Sequence, residues 1–471
     1  FNDDPNCFIA HLKQLPKLDF DFDHLPDGVK YATAMAARQS STQEMIEGVR
    51  RANKCIECGF CEVNCLSCGL TLSSRMRIAS QREIMRLKST GNPEDMRHAR
   101  RLEKLYRYYG NQTCAADGLC ATSCPMKINT GDLTHLLRQN IMDDSPAAYK
   151  VGDFAAKHMR GIENVVRRVL DVANLAHTVL GTKTMSAITQ AMHKTGVPLW
   201  TPAMPKAHYL HEELLQEAKV AGSDKSGSSD AGQSAGTEPL RFVYFPSCLN
   251  QTMGLSKGAP VKKTVVGEMV ELARKAHYEV VFPKNMRSLC CGQIWESKGM
   301  MDIADRKTAE LERALYEASE GGKLPVLCDQ SPCLHRMRKM MTRVQLYEPT
   351  EFILKFLKPR LHFHQLHRTV AVHTTCSMRE MGLMDDLIEL ASLCADKVIV
   401  PEGVGCCGFA GDRGFIHPEM NRYALRHLRE EIEANHVEVG YSNSRTCEIG
   451  LQYHSGIPYM SIAYLVNEAT D

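Results

Sequence analysis

The chain has 471 residues, of which 44% are hydrophobic and 24% are charged, values typical of a folded protein of two or three domains. Its 57 basic and 55 acidic residues leave a net charge of +2, which gives no support to nucleic-acid binding. The unusual feature is the 19 cysteines, too many for an ordinary cytosolic enzyme and too few for a small disulfide scaffold. Their spacing has to decide between metal-binding thiols and disulfides.

No apolar run reaches the roughly 18 residues that suggest a membrane-spanning helix, and no signal peptide is visible. We therefore expect a cytoplasmic protein, with membrane contact at most peripheral, at the inner membrane. The first residue is Phe1 rather than methionine, so the sequence is either a processed chain or a piece of a longer one. Residues 221–239 are rich in Gly, Ser, Asp and Ala and predict a flexible linker between a front part, 1–220, and a rear part, 240–471.

The front part shows the three- and four-residue spacing of apolar residues that is typical of helices. One helix is predicted to be capped by Asn92 and to end at Gly110, and another to follow Ser73 or Ser74. A third stretch, 162–180, is amphipathic. We expect its apolar face to pack in the core, with docking at a membrane surface as the alternative.

Four cysteines of the front part fit the spacing C-x2-C-x2-C-x3-C of bacterial ferredoxins, in which three close thiolates take corners of an iron–sulfur cubane. The fourth cysteine of such a run ligates the other cluster, and a second run does follow. Zinc sites instead use cysteine pairs separated by longer loops, and such close spacing is a poor framework for disulfides. The first predicted cluster uses what we name the cluster-1 set: Cys55, Cys58, Cys61 and Cys124.

The second run departs from the ferredoxin pattern, because Asp117 occupies the position of its second cysteine. Its predicted ligands form the cluster-2 set: Cys65, Cys114, Asp117 and Cys120. Three arrangements stay open for the fourth iron. The Asp117 carboxylate ligates it, the site holds a three-iron cluster, or water or Cys68 fills the position. Cys68 is otherwise interpreted as a small buried residue.

The rear part alternates short β-branched and aromatic runs with helical patterns, which predicts an α/β architecture. The strand-like runs are 242–245, 280–282, 326–327, 370–372 and 398–400. An internal repeat divides this part into halves of about 240–358 and 359–471. Each half has one cysteine after a strand, then Cys-Cys-Gly after a strand, then one more cysteine about 40 residues later.

The repeated cysteines predict two further sites, which we name the CCG sets. The first CCG set is Cys248, Cys290, Cys291 and Cys333, and the second is Cys376, Cys406, Cys407 and Cys447. Adjacent thiolates are awkward on one tetrahedral ion but can serve different irons of a cluster. We expect at least one set to hold a cluster, and the alternative for the other is a structural relic. The unassigned cysteines are Cys7, Cys68, Cys328 and Cys394, of which Cys394 fits a core position on a helix.

Two further features lie beside the second CCG set. The glycines of 408–414 lack the GxGxxG spacing of a nucleotide-binding loop, so we expect them to bring the backbone close to a cluster. His373 lies in a strand pattern just before Cys376. An ordinary buried histidine is the default interpretation, and a hydrogen bond to a cluster sulfide is the alternative.

Several motifs together resemble one family. They are Cys55–Cys61 (CIECGFC), Leu70–Arg75 (LTLSSR), Gln81–Glu83 (QRE), Cys114–Cys120 (CAADGLC) with Cys124-Pro125, Cys406–Arg413 (CCGFAGDR) and Ser444–Gly450 (SRTCEIG). Over nearly the whole chain, the sequence is similar to the iron–sulfur half of FAD- and iron–sulfur-containing D-lactate dehydrogenases. More broadly, it resembles the glycolate oxidase iron–sulfur subunit, the anaerobic glycerol-3-phosphate dehydrogenase C subunit and heterodisulfide reductase.

The resemblance implies a helical two-cluster ferredoxin-like domain followed by a duplicated α/β CCG domain. It also implies a flavin domain, N-terminal to this segment or in a partner subunit, where D-lactate or a related 2-hydroxy acid reduces FAD. The clusters would pass the electrons to a quinone or a cytochrome, and no FAD-binding or substrate-oxidising residues are assigned within these 471 residues. The alternative function is a thiol or disulfide reductase of the heterodisulfide reductase type, and a third is a scaffold subunit whose rear sites are empty.

Overall fold

The computed structural model describes residues 43–193, 197–210 and 240–471. The predicted linker, 221–239, and Cys7 lie outside the described residues. The domain division that rests on this linker therefore stays a prediction.

Nineteen α-helices are assigned within the described ranges. In chain order they are α1 (Gln43–Ala52), α2 (Ser74–Ser89), α3 (Pro93–Tyr106), α4 (Thr130–Asp143), α5 (Pro146–Lys157), α6 (Met159–Met192), α7 (Cys248–Thr252), α8 (Val265–Lys275), α9 (Gln293–Ser297), α10 (Met301–Ala318), α11 (Ser331–Met340), α12 (Pro349–Phe352), α13 (Cys376–Glu380), α14 (Met384–Cys394), α15 (Arg413–Ile416), α16 (Pro418–Ala424), α17 (Leu428–Ala434), α18 (Arg445–Ser455) and α19 (Ile462–Glu468).

Ten strands are assigned in the same ranges, together with short helical turns. The strands are β1 (Pro205–Ala207), β2 (Leu240–Phe245), β3 (Met253–Ser256), β4 (Tyr278–Val281), β5 (Val326–Cys328), β6 (Leu346–Tyr347), β7 (Leu366–Val372), β8 (Ala395–Ile399), β9 (Val439–Tyr441) and β10 (Tyr459–Met460). The 3-10 turns are Phe60–Asn64, Leu119–Ala121, Met286–Ser288 and Lys358–Arg360, and the π turns are Arg107–Gln112 and Ile353–Leu357.

The front part is helical, as predicted, and two helix starts fall at the expected caps. The Ser73 hydroxyl accepts a hydrogen bond from the Met76 backbone N–H at 3.3 Å, and the Asn92 side chain caps α3. The predicted end at Gly110 is wrong, because the chain continues from α3 into the π turn. Gly110 is instead packed against Tyr106, where a Cβ would lie 2.5 Å from the ring.

The rear part contains two four-stranded parallel sheets. Their strand orders are β4-β2-β5-β6 and β8-β7-β9-β10, so both sheets run second, first, third, fourth in chain order. All five predicted strands are confirmed, and the mixed helical and α/β fold class with them. Because the strands are parallel, each sheet gathers the loops that follow its strands at one edge. The cysteines of the CCG sets lie in or after these loops.

One apolar core joins the two sheets. Phe242 and Tyr244 of β2 and Val370 and Val372 of β7 are all fully buried in it. The two halves therefore share a continuous hydrophobic interior, whose burial is the main favourable term for holding them together. A separate core lies beneath the first CCG set and includes Cys290, Cys291 and Cys333 themselves.

The long helix α6 does not bury the apolar face that the sequence presents. Val169, Val172, Leu175 and Val179 are 60%, 66%, 65% and 75% exposed, so the prediction that this face packs in the core is wrong. The buried side of the helix carries Glu163, Arg167 and Leu170 instead. Within the described ranges, no helix combines the length and the hydropathy required to cross a lipid bilayer.

Candidate iron–sulfur centres

The cluster-1 set lies just beyond the C-terminal end of α1. Cys55 and Cys124 pack against the small apolar core that contains Ala52. Burial raises the pKa of the Cys61 thiol, and the charges of Cys55 and Cys124 raise it further, so these three thiols are neighbours. Cys58 is exposed. The structure thus brings three of the four predicted ligands together and places the fourth at the surface.

The four members of the cluster-2 set line a single cavity. Its empty volume is about 280 Å³, part of it open to solvent, and Arg77 lies in its wall. The Arg77 Nη1 group donates to the Cys65 Sγ at 3.5 Å, and the backbone N–H of Thr130 donates to the Cys120 Sγ at 3.3 Å. The cavity therefore gathers three thiols and the Asp117 carboxyl that were predicted to bind one cluster.

Two buried guanidinium groups flank this cavity. Arg77 donates to the carbonyl oxygens of Gly110 at 2.7 Å and Thr113 at 3.1 Å, and Arg138 donates to the carbonyl oxygen of Cys114 at 2.9 Å. Arg77 also donates to a thiol of this set, the Cys65 Sγ, and pairing with that thiolate would offset the cost of burying the guanidinium charge.

Only one thiol of the cluster-2 set, Cys114, is shown to respond to this charge. Burial opposes its ionisation, but Arg77 and Arg138, together with hydrogen bonds from Thr134 and Ala116, outweigh burial, and the net effect lowers the pKa of the thiol. Burial raises the pKa of Cys120 to about 12. Thiolate, and not thiol, is the form that binds iron, so a positively charged wall favours ligation at this cavity.

The first CCG set assembles at the carboxyl edge of its sheet. Cys248 begins α7 directly after β2, Cys333 lies in the first turn of α11 after β5, and Cys290-Cys291 follow the loop after β4. Side-chain contacts join Cys248 to Cys290, Cys290 to Cys291 and Cys291 to Cys333, so all four thiols form one continuous group.

The sequence interpretation missed a fifth thiol at this site. Cys328, at the end of β5, is fully buried, and its charge acts on Cys333 while those of Cys291 and Cys248 act on it. A signal was present, because Cys328 directly follows the predicted strand 326–327 in the half that already carries the first CCG set. By contrast, Cys394 is fully buried in the core between the two sheets, as its helical position predicted.

The second CCG set is assembled in the same way at the other sheet. Cys376 begins α13 after β7, Cys447 lies in α18 after β9, and Cys406-Cys407 lie in the loop after β8. The Sγ atoms of Cys407 and Cys447 are 3.0 Å apart, and Cys406 contacts Cys376.

The glycines of the two CCG turns bring backbone N–H groups to the thiols. Gly292 donates to the Cys290 Sγ at 3.4 Å, and Gly408 donates to the Cys406 Sγ at 3.4 Å. Both glycines have φ in the left-handed region, at 89° and 73°. N–H groups aimed at sulfur stabilise its anionic form. The backbone at Gly408 thus approaches a predicted ligand thiol, and its approach to a cluster stays a prediction.

His373 is 2% exposed, and burial lowers its pKa to about 3, which keeps the imidazole neutral near pH 7. Its Nδ1 lies 3.1 Å from the Ser442 hydroxyl, whereas its Nε2 is buried and has no hydrogen-bond partner. The Thr374 hydroxyl is buried and unpartnered as well. Two orphaned polar atoms just before Cys376 fit a polar group bound at the second CCG set.

The donor chemistry of the four sets fits iron–sulfur clusters. Fifteen thiols and one carboxyl are distributed in four groups of four, a ratio that cubane clusters require. In the described part of the chain, no three His, Cys, Asp or Glu side chains converge as ligands of a single metal ion. A cluster presents a different iron to each thiolate, so its ligands need not converge on one point.

Comparison with known families agrees with this chemistry. A family model described as a 4Fe-4S dicluster domain matches residues 51–128, which contain the cluster-1 and cluster-2 sets. A model described as a cysteine-rich domain matches twice, at residues 242–338 and 370–452, which contain the two CCG sets. The front part therefore resembles a 4Fe-4S dicluster domain, and both halves of the rear part resemble a cysteine-rich domain.

Several curated proteins are similar to part of the chain. Lactate utilization protein A 1 of Bacillus mycoides is 24% identical over 222 residues, which cover 43% of this chain and 89% of that protein. Lactate utilization protein A of Geobacillus kaustophilus is 27% identical over 192 residues, covering 37% and 79%. The protein of the same name from Bacillus velezensis is 28% identical over 163 residues, covering 32% and 68%.

Among solved structures, an aspartate racemase homologue from Pyrococcus horikoshii aligns with 49% of this chain and 96% of its own, at 12% identity and a TM-score of 0.20. A score this low carries no argument about the fold.

Proposed function

We propose that this chain is the iron–sulfur electron-transfer part of a flavin-dependent dehydrogenase for D-lactate or a related D-2-hydroxy acid. The observation that carries the proposal is the gathering of four sets of thiol and carboxyl donors in one structure. The similarity to lactate utilization proteins supports the substrate class. FAD then belongs to a preceding domain or a partner subunit.

When bound, iron–sulfur clusters take up and release single electrons, which suits a flavin that collects electrons in pairs. The residues of this chain hold and tune the centres. The thiolates ligate iron, Arg77 and Arg138 offset the negative charge of the cluster-2 set, and the Gly292 and Gly408 N–H groups contact sulfur.

The surface around the cluster-1 set is suited to docking of the flavin domain. Ile56, Phe60 and Val63 are 73%, 61% and 83% exposed, and they surround the exposed Cys58 in the sequence. Such large apolar side chains on a short loop are typical of a surface that a partner covers. The exposed thiol in the same loop puts the nearest donor set within reach of that partner.

A pocket beside the second CCG set is suited to the electron acceptor. It has an empty volume of about 440 Å³, part of it open to solvent, and its walls include Phe409, Phe415 and Ile449. Phe409 follows Cys407 by two residues and donates its N–H to that thiol at 3.5 Å. The buried hydroxyl of Thr201 has no partner and also lines the pocket. Flat aromatic walls with a free polar group favour a quinone ring as the acceptor.

The same pocket favours a second candidate, a thiol or disulfide reductase, because a disulfide bound there would lie near Cys407. The two candidates differ in the oxidant. A quinone analogue would reoxidise the reduced protein under the first, whereas a small disulfide would do so under the second.

The test is rapid mixing of D-lactate with the whole enzyme, including its flavin domain, under anaerobic conditions. We expect flavin reduction followed by loss of the broad iron–sulfur absorbance near ~400 nm. Replacing Phe60 and Val63 with serine should slow the second phase and leave the first phase and the iron content unchanged. Flavin reduction with no change in the iron–sulfur absorbance would contradict the proposal.

A further inference from the structure

Asp117 lies between two donor sets that belong to different parts of the chain. Its carboxyl lines the cluster-2 cavity with Cys65, Cys114 and Cys120. Burial raises the pKa of this carboxyl, and a side-chain hydrogen bond with Cys406, in the second CCG set, lowers it. A Cβ at Gly405, the residue before Cys406, would lie 3.5 Å from the Leu119 side chain, so the two loops meet beside Asp117. A residue predicted only as a ligand of one cluster therefore contacts a predicted ligand of another.

The loops on either side of this contact are fixed by further bonds. Arg413 donates to the carbonyl oxygen of Gln112 at 2.9 Å, just after the second CCG turn and just before the cluster-2 loop. Tyr423 donates to the carbonyl oxygen of Cys68 at 2.9 Å.

Two more contacts complete the junction. Tyr108 donates to the Glu419 carboxylate at 2.7 Å. Glu380, at the end of α13, packs where a side chain of Gly118 would lie. Gly118 has φ of 72°, which L-residues with side chains rarely adopt, so the turn beside Asp117 leaves room for this close approach.

The first CCG set meets the helical part differently. Its thiols contact one another, and the charges of Cys328 and of Glu163 from α6 act on them. Arg138, in α4 beside the cluster-2 cavity, reaches this half by donating to the carbonyl oxygen of Ser297 at 3.1 Å, beyond the CCG turn. The two halves of the repeat thus differ in their contacts with the cluster-2 set: the second half reaches it through a predicted ligand thiol, and the first half through a backbone carbonyl oxygen.

We infer that Asp117 is a positioning residue that couples the cluster-2 centre to the second CCG centre through its contact with Cys406. This inference rests on the proposed function, in that both sets must hold clusters. Hydrogen bonds and charges at ligand sulfurs set the reduction potential of a cluster. A change at Asp117 should therefore alter both centres, although sequence reasoning assigns it to one.

The test is a reductive titration of the full chain with a chemical reductant, followed by electron paramagnetic resonance. The second CCG signal is assigned as the one that disappears in Cys447→Ser, and the cluster-2 signal as the one that disappears in Cys114→Ser. Asp117→Ala removes the side chain that makes the contact. Asp117→Asn keeps the shape of the side chain and a hydrogen-bonding group but removes the ionisable carboxyl. Glu419→Gln is the matched control, because it alters the same junction away from the thiols.

We expect Asp117→Ala to change the equilibrium constant for reduction of the second CCG centre about tenfold, a 59 mV shift for one electron, and to shift the cluster-2 signal too. Asp117→Asn should have a smaller effect, and Glu419→Gln should leave both signals in place. A shift confined to the cluster-2 signal would overturn the inference, as would the absence of any signal that depends on Cys447. No lactate is used, so a wrong substrate assignment would not affect the outcome.

Discussion

Arg77 shows how one buried side chain connects stability with the chemistry of a site. It is 1% exposed and bonds two carbonyl oxygens and one predicted ligand thiol. Removing the guanidinium would leave the carbonyl oxygen of Gly110 without this donor in the interior, would leave Thr113 only its bond from the Ser67 hydroxyl, and would remove the cationic neighbour of Cys65.

We expect Arg77→Met to lower the free energy of unfolding by about 3 kcal/mol, since three bonds to a buried charged group are lost and the Gly110 carbonyl oxygen loses its donor. Urea unfolding followed by circular dichroism measures the change. Arg86→Met on the same helix is the control, because Arg86 pairs with Glu83 at the surface and should change stability little. Equal effects of both substitutions would contradict the role given to Arg77.

Ligand spacing is a local property along the chain, so the sequence could propose the four sets, and the structure brings together all of their members except Cys58. The sequence could not show that Asp117 contacts Cys406, since these residues are far apart in the sequence and meet only through tertiary packing. Cys328 was missed for a related reason: its neighbours Cys248 and Cys291 come from other loops of the same sheet edge.

The CCG turns are the elements on which both rear sites depend. Each turn follows a loop at a sheet edge and ends in a glycine with left-handed φ. A Cβ at Gly408 would lie 2.6 Å from the carbonyl oxygen of Met420, whereas a Cβ at Gly411, with the same φ of 73°, would meet nothing within 4 Å. An alanine at Gly411 would therefore suffer backbone strain alone, whereas an alanine at Gly408 would suffer the same strain and a steric clash.

Gly411→Ala should cost about 1 kcal/mol from the left-handed backbone alone. Gly408→Ala should cost at least about 2 kcal/mol more and should reduce the iron bound at the second CCG set, because the turn must move away from α16. Thermal unfolding and iron analysis of both variants check this expectation. Similar losses in the two variants would show that the close packing at Gly408 has no special part in the site.

A buried carboxyl group joins the two halves of the rear part. Glu348 is fully buried and accepts hydrogen bonds from Ser331 at 2.9 Å, from Asn443 of the other half at 2.7 Å and from the Thr350 N–H at 2.6 Å. Burial raises its pKa to about 7 despite these bonds. The folded protein therefore keeps a proton on Glu348 at a pH where the unfolded chain has lost it.

The sign of the pH effect follows from this difference. Glu348 ionises near pH 4.5 in the unfolded chain and near pH 7 in the folded one, so its contribution makes stability fall as pH rises between these values and level off above. In Glu348→Gln this slope, at most about 1.4 kcal/mol per pH unit, should disappear. Urea unfolding at pH 5, 6 and 8 compares the two proteins, and parallel curves would contradict the prediction.

At the element scale, five strands were predictable because their runs of β-branched and aromatic residues distinguish them from the helical patterns on either side. Strand β9, Val439–Tyr441, was missed, since three residues with a central glycine carry little strand signal. Its partner β7 supplies the missing stabilisation through parallel pairing at Val370, Ala371 and Val372. The strand conformation of β9 thus depends on its pairing with β7 and not on the local propensity of its three residues.

At the scale of the whole molecule, the predicted centres differ in their surroundings. The cluster-1 loop is exposed, the cluster-2 set contacts the second CCG set through Asp117, and the second CCG set borders an apolar pocket. Helix α6 presents an exposed apolar face, which amphipathic periodicity alone could not assign to core or surface. In the structure, the side of α6 that faces the interior is the one that carries the buried Glu163–Arg167 ion pair, and the apolar face is left exposed.

The central claim, that these cysteines hold iron–sulfur clusters, is tested most directly by measuring iron, acid-labile sulfide and zinc in anaerobically purified full-length protein. The account predicts about eight or more irons per chain with a similar amount of sulfide. Cys407→Ser should lose part of both, and Cys394→Ser, at a core position, should lose neither. Two zinc ions per chain and no sulfide would contradict the account.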